Sequence, residues 1–177
     1  MGVYDVVGIG NAIVDVIARC DDAFLAAHGL AKGAMTLVDA ERALTLYAHM
    51  GPGTEMSGGS AANTVAGIAS LGGKVAYVGK VRDDELGKVF QHDIRAAGVS
   101  YKVPLAQEGA PTARCLILVT PDAQRTMNTF LGISNELGPE DIDTNVIAKG
   151  KITYLEGYLF DPPRANDAFR RAARIAR

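Results

Sequence analysis

The sequence predicts an α/β fold on a mainly parallel sheet. Short apolar runs rich in β-branched residues alternate with segments of helical periodicity. Asp and Gly residues stand where those helices should begin and end. The chain has 177 residues and 48% hydrophobic content, enough for one domain with a proper core.

Residues 3–9, Val-Tyr-Asp-Val-Val-Gly-Ile, form a buried-strand pattern that ends at Gly10-Asn11. Residues 12–19 continue as a strand, with Asp15 among apolar neighbours. Asp21-Asp22 reads as the N-cap of a helix over Ala23–His28, closed by Gly29. Ala34–Val38 is a strand, and Asp39 caps a helix over Ala40–His49 that ends near Gly51-Pro52-Gly53. Ala61–Leu71 has helical spacing of small and apolar residues and stops at Gly72-Gly73. Val75–Val78 is a strand. Asp83-Asp84 starts a helix to about Ala97, with Leu86, Val89, Phe90 and Ile94 on one face. The rhythm breaks between about Ser100 and Leu131. There Ala113–Thr120 and Arg125–Phe130 flank Pro121-Asp122-Ala123-Gln124, a hairpin signal. Pro139-Glu140-Asp141 opens a helix near Ile142–Ala148, Ile152–Leu155 is a strand, and Asn166–Arg177 is a last helix. That helix ends without Gly, Asn or Pro, so the chain is expected to be cut mid-fold.

Net charge is −2, so no global field recruits nucleic acid or an anionic membrane. The Arg-rich segment 164–177 has no interleaved aromatic stacking residues and reads as a solvated helix face. Cys20 and Cys115 lie far apart, as reduced thiols of a cytoplasmic protein would. His28, His49 and His92 form no metal-ligand spacing, so no metal site is expected. Asp5, Asn11 and Asp15 interrupt the N-terminal apolar stretch, which argues against a signal peptide or a membrane span. Oligomeric state is not readable from the sequence.

Residues 56–63, Met-Ser-Gly-Gly-Ser-Ala-Ala-Asn, carry the strongest chemical signal. Gly58 and Gly59 present backbone N–H groups that no Cβ shields, so a ligand can approach closely. Asn63, one turn on, adds an amide with both donor and acceptor. A polyol or an anion would suit such a cradle. Asn11 and Asp15 suit the polyol, because a carboxylate accepts from two vicinal hydroxyls at once. Arg125, just after the hairpin turn, suits a phosphate contact, or else is a solvated turn residue. Gly8-Ile-Gly10 follows a strand as a dinucleotide fingerprint would, but Ile13 stands where the third glycine belongs. No GxxxxGK[ST] loop occurs.

Together these motifs resemble the ribokinase-like (PfkB) family of carbohydrate and nucleoside kinases. The resemblance rests on Gly58-Gly59-Ser-Ala-Ala-Asn63, Ala69-Ser-Leu-Gly72-Gly73, Val78-Gly79-Lys80-Val81 and Asp83-Asp84-Glu85-Leu86-Gly87. It covers the whole chain and matches only the N-terminal half of the family. Within the family the chain looks most like adenosine kinases. Gly10-Asn11-Ala-Ile-Val-Asp15, the insertion Asp21–Met50, the hairpin from Pro111 to Arg125 and Tyr154-Leu-Glu-Gly157-Tyr158 carry that likeness.

The resemblance implies a three-layer α/β/α fold with a small β lid from segments near 13–57 and 109–131, and with its C-terminal part missing. It implies phosphoryl transfer from ATP, helped by Mg²⁺, to a nucleoside or sugar hydroxyl, most simply the 5′-hydroxyl of adenosine. Asn11 and Asp15 would bind sugar hydroxyls, with Gly58, Gly59 and Asn63 on the other side of the ribose. Arg125 would approach the transferred phosphate, and Tyr158 would face the purine. Glu156 departs from the adenosine kinase pattern, where a small residue is usual, and could face a sugar. The family's Gly-Ala-Gly-Asp, which supplies the catalytic base, does not occur in these residues. No catalytic residue is therefore assigned, and the chain is expected to be inactive alone. A ribokinase- or fructokinase-type sugar kinase and a non-catalytic ligand-binding remnant are the alternatives.

Overall fold

A computed structural model describes residues 3–177. The elements in chain order are β1 (Tyr4–Ile9), β2 (Ile13–Arg19), α1 (Asp22–Ala27), β3 (Met35–Leu37), α2 (Ala40–His49), β4 (Gly53–Gly58), α3 (Ser60–Ser70), β5 (Val75–Val78) and α4 (Glu85–Ala96). Then follow β6 (Ser100–Tyr101), β7 (Ala113–Val119), β8 (Arg125–Phe130), α5 (Thr144–Ile147), β9 (Gly150–Leu155) and α6 (Pro163–Ala176).

The strands make two sheets. The first, in the order β6-β5-β1-β9, is parallel throughout. The second, β3-β8-β7-β2-β4, is mixed and contains the expected β7–β8 hairpin. α3 packs on β1 and β5, and α6 on β9. A Cβ on Gly8 would lie 2.7 Å from Val65 Cγ1, so bare backbone in β1 lets α3 approach closely. Tyr77, Phe90 and Tyr101 form an aromatic cluster between this sheet and α4, with centroids 5.6–6.2 Å apart.

Aspartates start the helices as their positions predict. Asp21, Asp39 and Asp84 accept from the backbone N–H groups of Phe24, Arg42 and Gly87 at 2.7–2.8 Å. Two helical segments differ from expectation. The helix expected over Ile142–Ala148 is a 3-10 turn at Pro139–Asp141 and then a short α5, because Asp143 caps a fresh start by accepting from Asn145 N. α6 begins at Pro163 instead of Asn166, since proline fits the first helical turn.

β4 has no apolar signature in the sequence, yet it pairs antiparallel with β2 over six residues. This pairing places Gly58 opposite Ile13 and Met56 opposite Asp15. The diglycine is therefore the junction where the second sheet returns to the first.

Candidate functional site

Asn11, Asp15, Gly58 and Gly59 meet at that junction. A Cβ on Gly58 would sit 2.3 Å from Asp15 Oδ2, so the carboxylate lies against bare backbone. Gly59 has φ +97°, and a Cβ there would sit 2.3 Å from the Asn11 carbonyl oxygen. Both glycines are thus fixed by close approach, and Gly59 also by its backbone conformation. Asn63 follows one turn later, its N–H donating to the Gly59 carbonyl at 2.8 Å. Its side chain is exposed and has no protein partner among the described residues.

Beneath the diglycine lies a buried polar knot. Glu156 is 2% exposed. Its Oε2 accepts from Asn11 N at 2.6 Å and Asn11 Nδ2 at 3.0 Å. Its Oε1 accepts from Ala61 N at 3.0 Å and from the Ser60 hydroxyl. Asn11 Oδ1 accepts from Ser134 Oγ at 2.9 Å. Gly10 must lack a side chain here, since its Cβ would fall 2.8 Å from the Glu156 carboxyl carbon. Glu156 thereby caps α3, whose own N-cap, Gly59, has no side chain to do so.

The expectation that Glu156 could face a sugar is corrected: its two oxygens are filled by four protein donors. Asn11, expected to bind hydroxyls, is 2% exposed, with Oδ1 engaged and one Nδ2 hydrogen spent on Glu156. Sequence reasoning missed Ser134. It lies in the 3-10 turn Gly132–Glu136, which no periodicity signals.

Asp15 is different in kind. Its neighbours across the sheet are Met56 and Cys115, and no protein group among the described residues hydrogen-bonds it. Burial in this setting raises its pKa from 3.8 to about 6, opposed by the positive charge of Arg125. Burial likewise pushes the Cys115 thiol up to about 11. Arg125 opens β8, is exposed, and shares the Asp15 face of the second sheet by strand alternation. Tyr158 is 76% exposed, in a 3-10 turn two residues past Glu156.

Among the described residues no group of three His, Cys, Asp or Glu side chains could hold a metal ion. The Mg²⁺ implied by the resemblance has no such donor set here. Among the described residues no helix is long and apolar enough to cross a membrane. A cavity of about 430 Å³ beside β5 and β6, lined by Lys80, Lys102, Val103 and Asp141, shares no residue with the cradle.

The pfkB family carbohydrate kinase model matches residues 23–177. The chain belongs to that family. A solved adenosine kinase from Sinorhizobium meliloti superposes with TM-score 0.90 and 61% identity, covering 98% of this chain and 53% of that one. A probable sugar kinase from Rhizobium etli gives TM-score 0.92 and 56% identity over 99% of this chain and 53% of that one. A probable fructokinase from Arabidopsis thaliana is 28% identical over 122 residues, 68% of this chain and 37% of the fructokinase. The chain thus spans about half the length of these two solved structures and a smaller share of the curated relative. The ribokinase-like fold expected from the sequence is the fold observed.

Proposed function

We propose that this chain carries the acceptor half of an adenosine kinase-like enzyme, which phosphorylates the 5′-hydroxyl of adenosine from ATP. The observation that carries this reading is the Asp15 carboxylate, half-buried, without a hydrogen-bond partner among the described residues, and set against the bare backbone of Gly58. Such a group suits two vicinal hydroxyls. The 61% identity to a bacterial adenosine kinase supports a nucleoside as their source.

In this reading Gly58 and Gly59 let the ribose approach, and Asn63 offers its free amide. Asn11 forms the floor and retains one Nδ2 hydrogen for the ligand. Tyr158 stacks on the purine, which its exposed ring permits. The second sheet acts as a lid, formed by segments near 13–57 and 109–131, and brings Arg125 to the transferred phosphate. ATP, when bound, would supply the phosphoryl group, and Mg²⁺ would neutralise its charge. Their site and the catalytic base are assigned to sequence outside these 177 residues, which contain no Gly-Ala-Gly-Asp. A free-sugar acceptor loses the support it drew from Glu156, whose oxygens are already filled.

A phosphotransferase assay tests this reading. The 177-residue chain is expected to show no turnover of adenosine, whereas a product extended by the remainder of the kinase fold turns it over. Substantial turnover by the short chain would sink the assignment of the base. An extended product inert towards every nucleoside and sugar would leave a non-catalytic binding remnant in its place.

Acceptor binding is also expected to depend on pH. The charged form of Asp15 is the hydroxyl acceptor and is lost as pH falls through about 6. Affinity for adenosine should then drop by up to about tenfold per pH unit below that value. Affinity that is flat from pH 7.5 to 5 would contradict the role given to Asp15.

A further inference from the structure

The geometry points to Glu156 as a positioning residue that sets the shape of the acceptor cradle without touching the acceptor. This inference rests on the acceptor-site reading above and assigns a device within it.

A carboxylate sealed away from water is retained only where its lone pairs are answered. Here the answer is complete: two donors on each oxygen, at 2.6–3.0 Å wherever a backbone N–H or the Asn11 amide is involved. No oxygen is left for a ligand hydroxyl. The donors come from two parts of the chain that build the cradle. Asn11 leaves β1 and leads into β2, and Ser60-Ala61 begin α3 directly after the diglycine. Glu156 itself is pinned to the first sheet by its N–H, which donates to the Ile9 carbonyl at 2.9 Å.

One more contact extends the device. Asn11 Oδ1 takes the hydroxyl of Ser134, four residues past the end of β8. Two of the crossings between the two sheets, at 10–13 and 58–61, therefore meet on one anion anchored to the first sheet, and a third, at 130–134, is tied to it through Asn11. The second sheet carries Asp15 and Arg125. Its position over the cradle is set by those crossings, so the carboxylate of Glu156 governs how Asn11, the diglycine and Asp15 face one another. The net negative charge also suits the positive end of α3.

A glutamine at 156 keeps the volume but presents an NH₂ to two of the four donors. In the full-length kinase, Glu156→Gln is expected to raise KM for the acceptor at least tenfold while KM for ATP stays within twofold. Because Glu156 acts through Asn11, the double variant with Asn11→Ala should be no worse than the poorer single variant. Additive losses, or an acceptor KM within twofold of wild type, would overturn the inference. Should Glu156→Gln fail to fold, Ser60→Ala removes one donor alone. A two- to fivefold rise in acceptor KM is then expected, and no change overturns.

Amide hydrogen exchange supplies a readout that needs no turnover. In Glu156→Gln the Asn11 and Ala61 amides should lose at least tenfold in protection while Val7 and Ala76 in the first sheet keep theirs. Unchanged protection at Asn11 and Ala61 would overturn the inference even in a protein that phosphorylates nothing. Failure of the functional reading and failure of the positioning role are thus read separately.

Discussion

Gly59→Ala is expected to cost the full-length protein about 3 kcal/mol of stability, the sum of a left-handed backbone strain and a forced contact. The φ of +97° disfavours any side chain, and the new Cβ would meet the Asn11 carbonyl oxygen at 2.3 Å. That oxygen is backbone, so it cannot swing aside as a side-chain tip would. Moving it displaces Asn11 and with it the donors to Glu156, so acceptor binding falls together with stability. Gly67→Ala, in the same helix, is the control: nothing lies within 4 Å of its Cβ. There the exchange should stabilise by up to about 1 kcal/mol through helix propensity. Denaturant titrations of both variants check the pair. Equal stability of the two would contradict the packing described at the diglycine.

Asp15→Asn should move activity and stability in opposite directions. In the proposed role of Asp15 the amide would lose the charge that receives the hydroxyls, a loss of about 3 kcal/mol or roughly 100-fold in kcat/KM for the acceptor. Its effect on stability follows from the raised pKa. Between about 4 and 6 the folded chain holds a proton on Asp15 that the unfolded chain has released. Stability therefore declines as pH rises through that window, and at pH 7 the charged, poorly solvated carboxylate weakens the fold. Asparagine relieves this, so the variant should be the more stable protein at pH 7 and should match wild type near pH 4. Such a trade is expected where a group is kept for binding against its folding cost. Denaturation at both pH values, alongside steady-state kinetics, checks the two halves. A variant less stable than wild type at pH 7 would show that Asp15 is satisfied within the fold.

The parts of this structure legible in the sequence were those with local causes. The aspartate caps at 21, 39 and 84 and the hairpin around Pro121–Gln124 each act within a few residues of themselves. The diglycine is visible as a composition, although the groups that require it, Asp15 and Asn11, lie far back in the chain. β4 was not legible, because Gly53–Gly58 contains small and polar residues and is a strand only through its partner β2. The knot was less legible still. Glu156 and Asn11 are 145 residues apart, and Ser134 reaches Asn11 across 123. Glu156 stood out as an anomaly of type. Only the three-dimensional arrangement shows that it faces into the protein, capping a helix whose own N-cap is a glycine.

In the proposed function the cradle holds the ribose of a nucleoside through Asp15, the diglycine and Asn63. Calorimetric titration of the full-length protein with adenosine, inosine, ribose and fructose tests it most directly. Saturable binding of adenosine is expected, tighter than that of either free sugar and weakened roughly 100-fold by Asp15→Asn. Preference for ribose or fructose, or adenosine binding that survives Asp15→Asn unchanged, would contradict it.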